Sequence, residues 1–512
     1  METRLPKTLL GTRPILMFGL LALFLQAACS QLDPLNLPSE SARSAEKTGP
    51  LAVVETVTRQ NWQVPLNTGQ QALEWRLRAI DSAVGSLDLQ TFLWLDDTVG
   101  NLFKERILNA ADRGVKVRIL IDDSFLAGQD QSSLRLSAHP NVSYRVYNPY
   151  SRRSSTAVSR TVLNLGDFSR LDHRMHNKVM VADGHVAIIG GRNLADEYFG
   201  MDPQSNFRDM ELLVGGPIIS ELEASFDTYW NDRWAFPIDN LARLKTQNTS
   251  IEDFAAKAKS ASKAFPSETA SQQQSAWQTV AKESYRGRTR LVVDAPPADR
   301  PEALSDRPTQ VANELERLIG KARSEVVAVS AYLIPTPTLS DVMRDAENRG
   351  VEVKLLTNSI NSNNHLSAYS VYRNHVYDLL NLGAEVHEMR ADAKDRSRYI
   401  SAPVAQKKLG LHAKYLILDR QTVFIGSANL DPRSLRINTE AGLLVDSPSL
   451  ANELIALTEI DFAPENAWRV ENRDGSLVWS SAGVSRQSSP AKSEFQRLEA
   501  WFFAHLPIEA EM

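Results

Sequence analysis

Two stretches of this chain carry one set of reactive groups at one spacing. The first, "MHNKVMVADGHVAIIGGRN" over residues 175–193, supplies His176, Lys178, Asp183, Gly190, Gly191 and Asn193. The second, "LHAKYLILDRQTVFIGSAN" over residues 411–429, supplies His412, Lys414, Asp419, Gly426, Ser427 and Asn429. An imidazole, an ammonium, a neutral amide and glycine backbone suit a phosphate: donors surround an anionic oxygen and a histidine is left for chemistry. A lone histidine on a strand is usually a satisfied structural group. A repeated one is half of a site in which two imidazoles face one phosphorus. A neutral imidazole attacks while a protonated one donates to the departing alkoxide, and a pKa near neutrality suits both roles. Water or an alcohol then resolves the phosphohistidine. This route calls for no cofactor and no metal, and the single cysteine, Cys29, leaves no cysteine-rich metal site.

The elements that must position these groups are legible around them. Residues two apart on a strand share a face, so each histidine is expected beside its lysine. The runs "VMVA" and "YLIL" carry the strand into the core, Asp183-Gly184 and Asp419-Arg420 make a turn, and "HVAII" and "TVFI" return. The hairpin brings Asn193 back to His176 and Asn429 back to His412. Asp183 and Asp419 are read as structural turn residues in ion pairs. Upstream, "VGSLDLQTFLWL" (84–95) and "SEVVAVSAYLI" (324–334) read as strands, each followed by a helix that runs into Arg-Gly-Val. Gly114 and Gly350 stand where a left-handed helix cap is expected. Arg113 to Arg349 and His176 to His412 each span 236 positions, so the chain duplicates one strand–helix–strand unit. Strands alternating with helices make this an α/β protein.

At 512 residues two domains are the natural division, and the net charge of −5 argues against a broad grip on nucleic acid. Arg4, Lys7 and Arg13 precede an apolar run, Ile15 to Leu25, and then "QAACS". That pattern is a secretory signal, too short for a comfortable transmembrane helix. The expected organisation is a signal segment over 1–29, a tether over 30–50, a first half over 51–244, a linker over 245–290 rich in Ala, Ser and Gln, and a second half over 291–512.

The paired motifs resemble the duplicated HKD motif of the phospholipase D superfamily, over most of residues 75–512. The resemblance implies two pseudo-symmetric domains, each a mixed β-sheet flanked by helices, with the active site at their interface. It implies His176 as nucleophile and His412 as general acid and base, although the residues alone do not order the two. Lys178, Lys414, Asn193 and Asn429 would hold the phosphoryl oxygens, with a serine hydroxyl offered only by Ser427 because Gly191 replaces its counterpart. Glu440 in "RINTEAGLLV" and Asp209 in "FRDMELLV" would orient the histidines. Arg192 and Arg433, beside the motifs, are candidates for a second phosphate. Ala27-Ala28-Cys29 resembles a lipobox, from which Gln26 departs, and implies a lipidated Cys29 on an exported, membrane-associated protein facing the periplasm of a bacterial envelope. The alternative is an uncleaved anchor.

Finer matches, "RMHNK", "IIGGRNLADEYFG", "AADRGVKVRILIDD" and "IGSANLDPRSLRINTE", resemble bacterial cardiolipin synthases. They imply transfer of a phosphatidyl group from phosphatidylglycerol or phosphatidylethanolamine to a second phosphatidylglycerol, at a membrane surface. A phospholipase D using water, and a periplasmic phosphodiesterase or nuclease, are the alternatives. Trp501, Phe502 and Phe503 in the terminal helix are read as packing rather than lipid contact.

Overall fold

The apolar runs of the two motif hairpins become strands of two large sheets in the computed structural model, which describes residues 32–42, 48–244, 254, 256–257, 262–297, 309–506 and 509. In the first half the strands are β1 (Trp62–Leu66), β2 (Ser86–Thr91), β3 (Lys116–Asp122), β4 (Val142–Tyr147), β5 (Val179–Ala182), β6 (Val186–Gly190), β7 (Ser205–Arg208), β8 (Glu211–Gly215), β9 (Ala235–Pro237) and β10 (Tyr285–Arg286). The second half supplies β11 (Arg288–Val293), β12 (Glu325–Val329), β13 (Glu352–Asn358), β14 (Glu385–Met389), β15 (Lys408–Leu411), β16 (Tyr415–Leu418), β17 (Thr422–Gly426), β18 (Ala441–Asp446), β19 (Ala467–Arg473), β20 (Ser476–Ser481) and β21 (Val484–Arg486).

The duplication is visible in the strand order. The first sheet contains β1-β8-β6-β5-β2-β3-β4 and the second β11-β18-β17-β16-β12-β13-β14, the same path twice. In each, the β2-β3-β4 or β12-β13-β14 set is parallel and the remaining pairs are antiparallel, so both sheets are mixed. The helix Thr98–Asp112 between β2 and β3 ends at Gly114 with φ +100°, and its twin Pro337–Asn348 ends at Gly350 with φ +83°. Those are the left-handed caps that Arg-Gly-Val announces.

One face of each sheet is covered by its own helices, while the other meets the opposite half. Val179, Ile189 and Leu212 of the first sheet share a buried core with Leu411, Ile417, Ile425 and Leu443 of the second. Strands buried on both faces read as unbroken apolar runs, which is why "VMVA" and "YLIL" lack alternation.

Two segments read as connections are packed on the folded body. Within the expected tether, Leu35 N–H donates to Arg233 O (2.9 Å), Ala42 N–H to Asp227 Oδ2 (2.7 Å), and Glu40 accepts from Arg145 (2.9 Å). Chain that satisfies its backbone on a folded body is laid along it. Within the expected linker, helix Ala270–Glu283 buries Trp277, whose indole N–H donates to Ser82 Oγ (2.9 Å), and β10 pairs with β1 at the edge of the first sheet. The aromatic anchor outweighed the Ser/Gln-rich composition. At the other end, Trp501 and Phe502, expected to pack, are each 55% exposed on helix Glu494–Ala504. No helix among the described residues is long and apolar enough to cross a membrane. The signal segment and Cys29 lie outside the described residues.

Candidate active site

The two motif hairpins open into one cleft between the halves. β5 pairs with β6 so that Val179 faces Ile189, and β16 with β17 so that Tyr415 faces Ile425, which returns each glycine end to the histidine end. His176 and Lys178 lie ahead of β5, and His412 and Lys414 ahead of β16, not within the ladders as alternation suggested. Their backbone is held instead by the opposite half. Met175 bridges to Thr439 in parallel, and His176 N–H donates to Thr439 O (2.9 Å). β15 pairs in parallel with β7, and His412 N–H donates to Arg208 O (2.8 Å). The residues following Thr439 and Arg208 are Glu440 and Asp209, so each half delivers a carboxylate to the other half's histidine.

The resulting dyads are crossed. His176 Nδ1 lies 2.9 and 2.8 Å from the two Glu440 carboxylate oxygens, and His412 Nδ1 lies 2.7 Å from Asp209 Oδ2. A carboxylate accepts, so each Nδ1 carries the proton and Nε2 remains for chemistry. Rings fix the imidazole planes: Phe92 meets His176 edge-on at 4.9 Å, and Tyr198 meets His412 edge-on at 4.9 Å. Both histidines, Asn193 and Asn429 line the same cleft, of about 360 Å³. The two asparagine Oδ1 atoms are buried without a hydrogen-bond partner. Lys178 Nζ donates to His176 O (2.6 Å) and Lys414 Nζ to His412 O, so each ammonium waits on its own histidine's carbonyl.

Burial and charge make the two dyads unlike. Burial, reinforced by Lys178 and Lys414, holds His176 well below the usual imidazole range. Burial and Lys414 take His412 to about 3 against the pull of Asp209. Both imidazoles are therefore neutral at pH 7. Burial lowers Lys178 to about 7 and Lys414 to about 8. Burial raises Glu440 to about 7, with Lys178 and Ser427 working against it. Asp209 is equally buried, yet His412, Lys414 and Arg192 hold it below the ordinary carboxylate range.

The glycine end explains the Gly191/Ser427 difference. A Cβ at residue 191 would lie 2.3 Å from Asp209 Oδ1, so glycine leaves room for that carboxylate. Ser427 does not offer its hydroxyl to the cleft: it is fully buried, donates to Glu440 Oε2 and accepts from Ala441 N–H (3.0 Å). Gly190 and Gly426 lie against neighbouring backbone, where a Cβ would come within 2.7 Å of Glu211 Cα and 2.4 Å of Ala441 O.

Asp183 and Asp419 sit at the far ends of the hairpins, and their partners are backbone amides rather than cations. Asp183 accepts from Val84, Gly85 and Ser86 (2.8–2.9 Å), and Asp419 from Arg323, Ser324 and Glu325 (2.7–3.1 Å), fastening each hairpin to the start of β2 or β12. Arg192 cannot meet a second phosphate, because it is buried against Glu211 (3.2 Å) and donates to Leu66 O and Asp209 O. Arg433 does line the cleft, and it pairs across the halves with Asp172 (2.9 Å). The sequence reading did not single out Phe92, Tyr198, Glu197 or Asp431, which also line the cleft. They lie in the stretches "VGSLDLQTFLWL" (Phe92), "DEYFG" (Glu197, Tyr198) and "IGSANLDPRSLRINTE" (Asp431), where no spacing marked them. Burial raises Glu197 to about 7 and Asp431 to about 6.

A family profile described as "Cardiolipin synthase, PLD-like domain" matches residues 77–230 and 315–460. An uncharacterized protein of Helicobacter pylori is 30% identical over 446 residues, covering 85% of this chain and 86% of that protein. Cardiolipin synthase C of Escherichia coli is 29% identical over 458 residues, covering 87% of this chain and 95% of its own length. Among solved structures, phosphatidylserine synthase of Haemophilus influenzae superposes with a TM-score of 0.51 at 13% identity, covering 81% of this chain and 90% of that one. At that identity the likeness concerns the fold. With both halves matched by the family profile, the chain belongs to the PLD-like family of cardiolipin synthases and is a phosphatidyltransferase-type enzyme of the phospholipase D superfamily.

Proposed function

We propose that the protein makes cardiolipin, transferring a phosphatidyl group from one phospholipid to the glycerol headgroup of phosphatidylglycerol. The observation that carries this reading is the pair of crossed dyads, which gives one cleft a neutral nucleophile and a separately tuned proton donor. The difference between the carboxylates favours His176 as nucleophile. Glu440 near its midpoint orients the imidazole without strongly favouring its cation, whereas a firmly ionised Asp209 supports a protonated His412 once a phosphodiester anion offsets the lysines.

In the first step His176 Nε2 attacks phosphorus. The bond from phosphorus to the headgroup oxygen breaks, and His412 Nε2 gives that oxygen its proton as glycerol or ethanolamine leaves. In the second, the terminal hydroxyl of phosphatidylglycerol gives its proton to His412, its oxygen attacks phosphorus, and the nitrogen–phosphorus bond breaks. Lys178, Lys414 and the two asparagines hold the phosphoryl oxygens throughout. The substrate class is supported by kinship with the cardiolipin synthases. An envelope location follows the same reading, with Cys29 as lipid attachment site, and Cys29→Ser should abolish incorporation of labelled palmitate.

Purified protein with phosphatidylglycerol vesicles should release cardiolipin and glycerol. Rapid denaturing quench of the wild type should trap a lipid-modified His176, His176→Ala should form none, and His412→Ala, lacking the proton donor of the first step, should lose turnover. Phosphatidic acid as the sole product would sink the transferase in favour of a hydrolase.

A further inference from the structure

A cleft of about 360 Å³ takes a headgroup but not two acyl chains, and the surface beside it is built inside out. Helix Ala157–Leu163 turns Arg160 inward, where its guanidinium is buried against Asp123 (2.8 Å) and Asp130. It turns Val158 and Val162 outward, with Val158 77% exposed. A helix facing water has the reverse arrangement. Leu165 and Phe168 continue the exposed apolar face, and Phe125 joins it from the turn after β3. Arg153 clamps the same two aspartates, so an ionic base presents this face and not a loose loop. Beneath it lies a second hollow of about 260 Å³, lined in part by Leu165 and Phe168. That hollow shares Phe92, Phe125, Arg433 and Asn438 with the catalytic cleft, so apolar surface begins where the headgroup site ends.

We propose that the 157–171 segment is the face by which the enzyme enters a phospholipid monolayer. Val158 and Val162 enter the acyl region, and the tails of the bound lipid lie over Leu165 and Phe168 while its phosphate reaches His176 and His412. The proposal rests on the phospholipid-substrate reading above. Continuity with the cleft selects lipid over a protein partner, since the shared lining gives the substrate's own tails an apolar way out of the headgroup site. An exposed apolar patch beside a site is the usual mark of such a contact.

Amide hydrogen exchange of the full-length protein, with and without vesicles of phosphatidylglycerol and phosphatidylethanolamine, tests the docking itself. Slower exchange over 157–171 with vesicles is expected; unchanged exchange there overturns the proposal whether or not lipid is turned over. The double variant Val158→Asp/Val162→Asp alters side chains that line neither hollow. It should lose about tenfold or more of the rate on vesicles, yet stay within about twofold on a dissolved short-chain phosphatidylglycerol. An equal fall on both substrates would mean the helix only supports the fold, and full vesicle activity would mean it touches no lipid; either overturns the proposal. The rival surface is helix Glu494–Ala504. Loss of vesicle activity in Phe495→Asp/Leu498→Asp, with the Val158/Val162 variant unaffected, would move the contact there. Wild-type inactivity on both lipid forms defeats the phospholipid reading instead, and hydrogen exchange still decides the docking.

Discussion

A histidine buried beside two lysines resists protonation, so in the proposed mechanism the proton that His412 would give a leaving alkoxide is admitted only when an anion offsets that charge. In the free enzyme the groups that set the pH profile are therefore Glu440 and the lysines. Burial raises Glu440 to about 7, and its ionised form is the better acceptor for His176 Nδ1–H, so kcat/KM should rise with pH through that value. Lys178 sits at about 7 and Lys414 at about 8, and loss of either proton removes a phosphoryl donor, so kcat/KM should begin to fall near 7 and be lost above 8. A narrow bell between these limbs is expected, because kcat/KM reports the free enzyme. Glu440→Gln should flatten the rising limb and lower kcat by roughly 10²- to 10⁴-fold. A profile with its rising limb intact would remove Glu440 from that role.

At the scale of elements, the strand ends that meet the carboxylates leave no spare volume. Gly191→Ala puts a Cβ against Asp209 Oδ1, a movable side-chain atom 2.3 Å away. The expected result is a large loss of kcat with a small change in melting temperature, since the carboxylate can swing off His412. Gly426→Ala meets the carbonyl oxygen of Ala441 at 2.4 Å, which belongs to a paired strand and cannot swing. That change should destabilise by about 1–3 kcal/mol. Denaturant melts beside kinetics separate the two outcomes, and equal effects in both variants would contradict the geometry.

The whole molecule behaves as one site because its halves share a core and exchange their carboxylates. Arg208, on β7 of the first half, is buried and pairs through Nε with Asp461 of the second half (2.7 Å), and its carbonyl receives the His412 amide. Arg208→Ala leaves Asp461 as an uncompensated buried charge and should cost about 3–5 kcal/mol. Calorimetry of the wild type should show one transition for both sheets. Two well-separated transitions would mean the halves unfold independently, against the shared core.

Much of this was legible in the chain. The 236-residue register, the His-x-Lys pairs, the Arg-Gly caps and the apolar hairpin runs determine a duplicated α/β fold and the meeting of two histidine motifs, because they depend on local periodicity and residue chemistry. Distant contacts settled what local signals left open: Trp277 packed part of the segment read as linker, Arg192 was taken into the core, and Ser427, a cleft contact by resemblance, turned to Glu440. Pairing each carboxylate with the opposite histidine required the tertiary structure. The segments that bring them together, Met175–His176 beside Thr439 and Leu411–His412 beside Arg208, are hydrogen-bonded across more than two hundred residues of chain. The strength of each carboxylate was likewise decided there, since burial and the neighbouring lysines set it and neither exists before the halves close. Sequence determined which groups the two motifs carry; the fold decided which partner each has, because partnership across the cleft is a property of packing and not of spacing.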